Sequence, residues 1–467
     1  MPIILLIGIS SCKISPVLTK EESSHTPSQY GDFQSKTSEV ARMNWRDFFG
    51  DDNLTALVDS ALNNNQELNI TFQEILLEQN EVMAKKGEYL PFVGIRGGAL
   101  LEKEGRYTRH GAVDEQLDIK HGTPFPEPLQ DYKLALEASW ELDIWHKLRH
   151  SKKAAVSRYL ASIEGKNFII TNLIAEVASS YYELLALDNI LAIVQQNIGI
   201  QNEVLRIIRH QKEAAMVSQL AVTRFEAQVL NTKNLQYDIQ QQIVETENRI
   251  NVLMGRFPQP IARQPLAFND ITVDDIATGV PSQLLENRPD IRQAELELAA
   301  AKLDVKSARA NFYPSFSIES GIGFQAFKPS FLLRPESLLY HIGGGLVAPL
   351  INRSAIKAAY YNANAKQLQA VYHYEWTILN AYAEVLNHLS KIKITSESYA
   401  TKQEEAELLT RSIQISSSLF NSARADYMEV LLTQREALES KMELVEMKLQ
   451  QLQAKVGIYR SLGGGWN

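Results

Sequence analysis

Residues 438–459 read LESKMELVEMKLQQLQAKVGIY, in which Leu438, Met442, Val445, Leu449, Leu452, Val456 and Tyr459 step alternately by four and three. Those steps keep one apolar seam turned toward a neighbouring helix. The stretch closes a longer run, residues 350–456, that holds neither Pro nor Gly over 107 residues. Mean helices run about 11–12 residues, so this run predicts helices of unusual length. A helix over 353–418 would extend roughly 100 Å at about 1.5 Å per residue. The polar cluster Ser416, Ser417, Ser418, Asn421 and Ser422 is the expected turn of a helical hairpin over about 353–456.

A second run, residues 129–257, lacks proline. It carries the same seam in Leu173, Val177, Ser180, Leu184, Leu187, Leu191, Val194 and Ile198. Here the hairpin is expected over about 146–255, turning at 214–218.

The resemblance between the two runs is one of order along the whole chain, an internal repeat. Residues 67–91 and 290–314 are helical patterns of equal span ending on Pro91 and Pro314, an offset of 223. Tyr181, Glu183, Leu184 and Leu185 correspond to Tyr382, Glu384, Val385 and Leu386. Ser218, Leu220, Ala221, Val222, Arg224 and Glu226 echo Asp426, Met428, Glu429, Val430 and Thr433 more loosely. Each half reads as helix, strand, strand, long-helix hairpin. The halves are expected at 41–262 and 281–460, joined by a linker at 263–280 and followed by a C-terminal tail at 461–467.

The strand regions alternate with period two. Tyr132, Leu134, Leu136, Ala138, Trp140 and Leu142 share one face, and Lys133, Ala135, Glu137, Ser139 and Glu141 the other. Strands are expected at about 92–102, 132–142, 315–327 and 338–348. One apolar and one polar or small face suits a lipid-facing barrel with a wet interior; an ordinary half-buried sheet shows the same alternation. Four strands cannot close a barrel, whose smallest form has about eight. Three copies supplying twelve strands make the simplest closed ring. No run of 18 apolar residues offers a transmembrane helix, so a membrane span would have to be a closed barrel.

Composition narrows the function classes. The chain of 467 residues is 45% hydrophobic and 22% charged, with a net charge of −8. That is a folding composition, and without a basic block it argues against a nucleic-acid partner. Its single cysteine, Cys12, excludes an internal disulfide and a Cys-rich metal site. No HExxH, GxxxxGK[ST] or Gly-rich turn opening a βαβ unit is present. His146 and His150 lie at i, i+4 and read either as a metal pair or as a surface pair beside Lys147 and Arg149. The adjacent carboxylates Glu21-Glu22, Asp51-Asp52 and Glu404-Glu405 do not converge as an acid–base pair. No cofactor, metal or catalysis is expected.

At the N-terminus a short apolar run, residues 3–9, leads to Ser10-Ser11-Cys12. The run is shorter than a bilayer span and suits a signal core. It resembles a bacterial lipobox, which would make 1–12 a lipoprotein signal ending at a lipidated Cys12; the other reading is a free cysteine in a frayed tail. It departs from the usual pattern in having no Lys or Arg ahead of the apolar run. Residues 13–40, rich in Ser, Thr, Lys and Glu, read as a flexible tether.

Five motifs carry a resemblance to a known family: WRDFFGDDNL at 45–54, WELDIW at 140–145, VPSQLLENRPDIRQAE at 280–295, APLIN at 348–352 and YRSLGGGW at 459–466. Together with the Cys12 signal they make the chain similar to TolC-type outer-membrane efflux proteins, in the NodT-like lipoprotein branch that pairs with resistance–nodulation–division pumps. The resemblance implies an α+β membrane protein: a homotrimeric 12-stranded outer-membrane β-barrel on a long α-helical periplasmic barrel. It implies a passive duct for small molecules, partnered by a periplasmic adaptor and an inner-membrane pump and anchored in outer-membrane lipid. It places a periplasmic gate at the tips, 216–224 and 420–434, with Ser218, Arg224, Arg424, Asp426 and Glu429 as gate residues; solvated charges at a helix turn are the competing reading. Ala215 and Ala423 stand where relatives carry glycines, and Ala221 and Leu432 where carboxylates are common. Two alternatives stand beside the efflux duct: the outer-membrane duct of an ABC-type protein secretion system, and a lipid-anchored coiled-coil scaffold without a pore.

Overall fold

A computed structural model describes residues 17–33, 43–264, 268, 271, 279–351, 353–422 and 424–466. The elements run in chain order as α1 (Trp45–Phe49), α2 (Asp52–Asn64), α3 (Gln66–Tyr89), β1 (Phe92–Glu102), α4 (Arg109–Gln116), β2 (Asp118–Lys120), β3 (Thr123–Pro124), β4 (Leu129–Leu142), α5 (Lys147–Glu213) and α6 (Gln219–Leu253). The second half follows with α7 (Leu284–Asn287), α8 (Pro289–Ala310), β5 (Ser315–Ala326), β6 (Leu338–Val347), α9 (Ser354–Asn421) and α10 (Tyr427–Ser461). Helices α5 and α9 are unbroken for 67 and 68 residues. The chain divides into two compact units.

The first unit, residues 76–160 and 295–372 with residues 17–21, centres on one antiparallel sheet of order β1-β4-β5-β6. Leu136 pairs with Ile95 on one side and Ile322 on the other, and Ile322 pairs with Tyr340. Both halves of the repeat thus meet at the β4–β5 ladder. Strand β4 begins at Leu129, ahead of the alternation that marks it in the sequence, and the connection after β1 holds the short helix α4 and the β2–β3 hairpin, which no periodicity announces.

The second unit, residues 22–75, 161–294 and 373–467, is helical. Its core contains Val177, Tyr181, Tyr182, Leu184, Val194, Ile250, Leu452, Val456 and Tyr459, all buried. Most of the two seams therefore packs inward. By composition one window of α5 is apolar enough to cross a bilayer, but most of it is buried in the protein, which makes it a core helix.

Two expectations are corrected, and the C-terminal tail finds its place between them. The tether is not uniformly loose: Tyr30 is buried, stacks on Tyr382 at 5.5 Å, and Gly31 N–H donates to the Tyr382 hydroxyl at 3.3 Å. An aromatic in a Ser/Thr/Lys-rich stretch found an apolar surface that composition does not reveal. The C-terminal tail packs inward as well, residues 461–465 being buried. Left-handed Gly463 folds it back, and the Trp466 indole N–H donates to Asn287 O at 3.1 Å. Finally, α9 runs through the serine cluster and turns only after Asn421. Ser416, Ser418 and Ser422 return their hydroxyls to carbonyls three or four residues earlier, which lets serine stay helical.

One half-buried titratable group should make the second unit acid-sensitive. The His388 ring lies against Gly457, where an added Cβ would come within 2.2 Å. Burial first, and then Arg460, hold its pKa below the usual value; Glu384 opposes this and Lys391 adds to it. The folded state thus takes up the proton less readily than the unfolded chain. Stability should fall as pH drops below about 6.5. Melting curves from pH 8 to 5 should show this slope, and His388→Gln should flatten it.

Candidate functional site

The sheet presents two chemically opposed faces. On one, Val93 and Ile95 of β1, Leu134 and Leu136 of β4, Ile322 of β5, and Leu338, Tyr340, Ile342 and Leu346 of β6 are in register. All nine are exposed, Ile342 at 81% and Ile95 at 76%. Apolar area this continuous and uncovered marks a face built for lipid or a partner. The opposite face carries Arg96, Lys133, Glu137, Glu141, Ser317, Glu319 and His341, with Gly321, Gly323, Gly343 and Gly345 among them. Glu137 pairs with Arg96 at 3.1 Å and with Lys133 at 2.9 Å. At Gly321 a Cβ would come within 2.5 Å of the His341 ring, and at Gly323 within 2.3 Å of Leu134 O, so glycine there lets the face pack closely. With Glu102 and Asp131 at its end, this face bears five carboxylates against two cations in the strands. The outer strands β1 and β6 each have one unpaired edge in the sheet.

The strand-to-helix junction is fixed by WELDIW. Asp143 is buried and caps α5 by accepting from the N–H groups of Leu148 and Arg149, both at 2.9 Å. The Trp140 indole donates to Tyr89 O at 3.1 Å, and that of Trp145 to Pro314 O at 2.7 Å while stacking on Tyr313. The two indoles therefore tie the ends of α3 and α8 to one junction.

The hairpin tips lie in the second unit. Leu205 and Ile208 of α5, Ala221, Val222, Phe225 and Val229 of α6 and Val430 of α10 form one buried cluster, flanked by Phe420 of α9 and Tyr427. The tips of both repeats thus share a core. Ala221 belongs to that core and is fully buried; a carboxylate there would be desolvated at high cost. Ser218, Arg224, Arg424, Asp426 and Glu429 are all exposed around it. Arg224 reaches the Met428 sulfur at 3.0 Å. Ser218 and Asp426 sit at the N-caps of α6 and α10 without side-chain capping bonds. Among the described residues none of the four charged ones forms an ion pair. Leu432 is 38% exposed. Cys12 and Ala423 lie outside the described residues.

The α5 tip ends in a Schellman turn, with Ala215 N–H donating to Lys212 O and Met216 N–H to Gln211 O, both at 2.9 Å. Ala215 takes the left-handed conformation this turn demands, φ 57°. Gly255 and Gly463 fill the same position at the ends of α6 and α10, where glycine is preferred. Ala215→Gly should relieve the strain and stabilise the protein by about 0.5–1 kcal/mol, read as a raised denaturation midpoint.

His146 and His150 stand with ring centroids 6.1 Å apart. Among the described residues no group of three or more His, Cys, Asp or Glu is placed to hold a metal ion. The Asp143 carboxylate beside them is engaged in helix capping.

Comparison with known proteins agrees with this geometry. A family model described as "Outer membrane efflux protein" matches residues 57–256 and 280–464, both halves of the repeat. The pyoverdine export outer membrane protein OpmQ of Pseudomonas aeruginosa is 27% identical over 99% of this chain and 95% of its own length. SilC of Salmonella typhimurium, named as a probable outer membrane lipoprotein, is 24% identical over 90% of this chain and 88% of its own. A crystal structure of a membrane protein from Pseudomonas aeruginosa has the same fold. Its TM-score is 0.86 at 23% identity, covering 97% of this chain and 100% of that one.

Proposed function

The chain belongs to the outer membrane efflux protein family, and from that membership we propose that three copies form a twelve-stranded pore through the outer membrane. One observation carries the reading: a four-stranded sheet with two open edges has an exposed apolar face backed by a polar, glycine-rich one. An open edge and an uncovered apolar face are both costly in water. Pairing β6 of one copy with β1 of the next would satisfy the edges and put the apolar face in lipid.

The long hairpins would then line a periplasmic tunnel, entered at the tips. Arg224, Arg424, Asp426 and Glu429 would meet the same residues of neighbouring copies and hold the entrance shut. An inner-membrane pump of the resistance–nodulation–division class would deliver cargo through a periplasmic adaptor. OpmQ bears the name of an exporter of pyoverdine, which favours small molecules over polypeptides as cargo. The excess of carboxylates on the polar face gives the pore a preference for cations. Lipidation at Cys12 would add an anchor, so Cys12→Ser should weaken membrane retention while assembly survives; unchanged retention would count against the anchor.

The direct test is conductance in planar bilayers. The purified protein should form stable channels that favour cations, with a preference reduced in Glu319→Lys. A detergent-independent monomer without conductance would refute the duct.

A further inference from the structure

Gln201 of α5 and Gln434 of α10 are 0% and 1% exposed, yet none of their four amide oxygen and nitrogen atoms has a hydrogen-bond partner among the described residues. Among the described residues eight buried side-chain atoms lack a partner, and six of them lie on Asn197, Gln201, Gln434 and Ser440. The concentration is local to α5 and α10.

Its position follows from the helix directions. Leu205 and Val430 sit in the same tip cluster. Gln201 precedes Leu205 by one turn on α5, which runs toward the tip; Gln434 follows Val430 by one turn on α10, which runs away from it. Both amides therefore lie one turn behind the tip core, on its side away from the tip. Thr232, one turn beyond Val229 on α6, is buried near the same level, but its hydroxyl is satisfied by Gln228 O at 3.0 Å.

A buried amide without partners is among the more costly features a core can hold, because desolvation is not repaid. Leucine would fill each position at similar volume and at no such cost. The amides are unfavourable only while the helices stay packed; once they separate, water satisfies every donor and acceptor.

We propose that this glutamine layer is the hinge of the periplasmic gate: it destabilises the closed packing behind the tip so that the closed and open arrangements are balanced. The inference rests on the reading that the tips control the entrance. The tip cluster and exposed charges hold the gate shut, and the glutamine layer sets how much work opening takes.

The test compares three full-length proteins in planar bilayers: wild type, Gln201→Leu/Gln434→Leu, and Arg424→Ala/Asp426→Ala/Glu429→Ala. The leucine pair should lower the open fraction by about tenfold or more and slow amide hydrogen exchange over 197–208 and 430–440. The alanine triple should raise the open fraction. If the leucine pair does not assemble as the wild type does, Gln201→Met/Gln434→Met replaces it with the same expectation. A leucine pair that is stabilised but conducts like the wild type overturns the hinge and leaves the layer a register device. An alanine triple that leaves conductance unchanged overturns the tip reading, and the hinge with it.

Discussion

Arg288→Met will destabilise the protein by about 3–5 kcal/mol, the cost of breaking a buried ion pair from one side. Arg288 is 4% exposed. Its guanidinium grips Asp290 through two bonds at 3.0 and 2.7 Å, reaches Glu384 at 2.9 Å and donates to Ser461 O at 2.8 Å. One side chain thus joins the start of α8, the middle of α9 and the end of α10. Methionine would fill the volume but leave two carboxylates facing each other without their cation. Adding Asp290→Asn and Glu384→Gln should recover part of the loss, because the desolvated charges are then gone. Chemical denaturation of single and combined variants checks both statements; a loss under about 1 kcal/mol for Arg288→Met would show that the network is incidental.

Ile322→Arg will block assembly in the membrane, whereas Glu319→Arg, three residues away on the same strand, will be tolerated. Ile322 is 54% exposed on the apolar face, between Leu136 and Tyr340. An arginine facing lipid near the bilayer centre costs about 2–4 kcal/mol per chain, and a symmetric trimer would carry it three times. Glu319 points to the opposite face between Ser139 and Gly343, where water would accept either charge. The yield of folded oligomer in liposomes separates the two. Equal yields would mean that the apolar face does not meet lipid.

Much of this architecture is legible in the sequence because its periods are strong. Steps of three and four over Leu438 to Tyr459 report which face is buried, and alternation over Tyr132 to Leu142 separates an apolar face from a polar one, long before any contact is known. The tip is less legible. Ala221 and Arg224 stand three residues apart in one motif, but only the first enters the tip core, because helix rotation alone decides between them. Non-local contacts are the least legible: Arg288 reaches Glu384 across 96 residues and Ser461 across 173, and Tyr30 reaches Tyr382 from still farther along the chain. The motifs at 280–295 and 459–466 stand out in the sequence, but their packing against each other through Asn287, Arg288, Ser461 and Trp466 does not. Gln201 and Gln434 look like ordinary surface glutamines until burial is known.

Labelling of single cysteines on the two sheet faces decides whether the apolar face meets lipid and the polar face meets water. In a Cys12→Ser background, cysteines at Leu134, Leu136, Ile322 and Ile342 are compared with cysteines at Lys133, Glu137, Glu319 and Gly343, in protein reconstituted in liposomes. A water-soluble maleimide should label only the second set, while a quencher carried by lipid should reach probes only on the first. Equal labelling of both faces by the water-soluble reagent would contradict this arrangement.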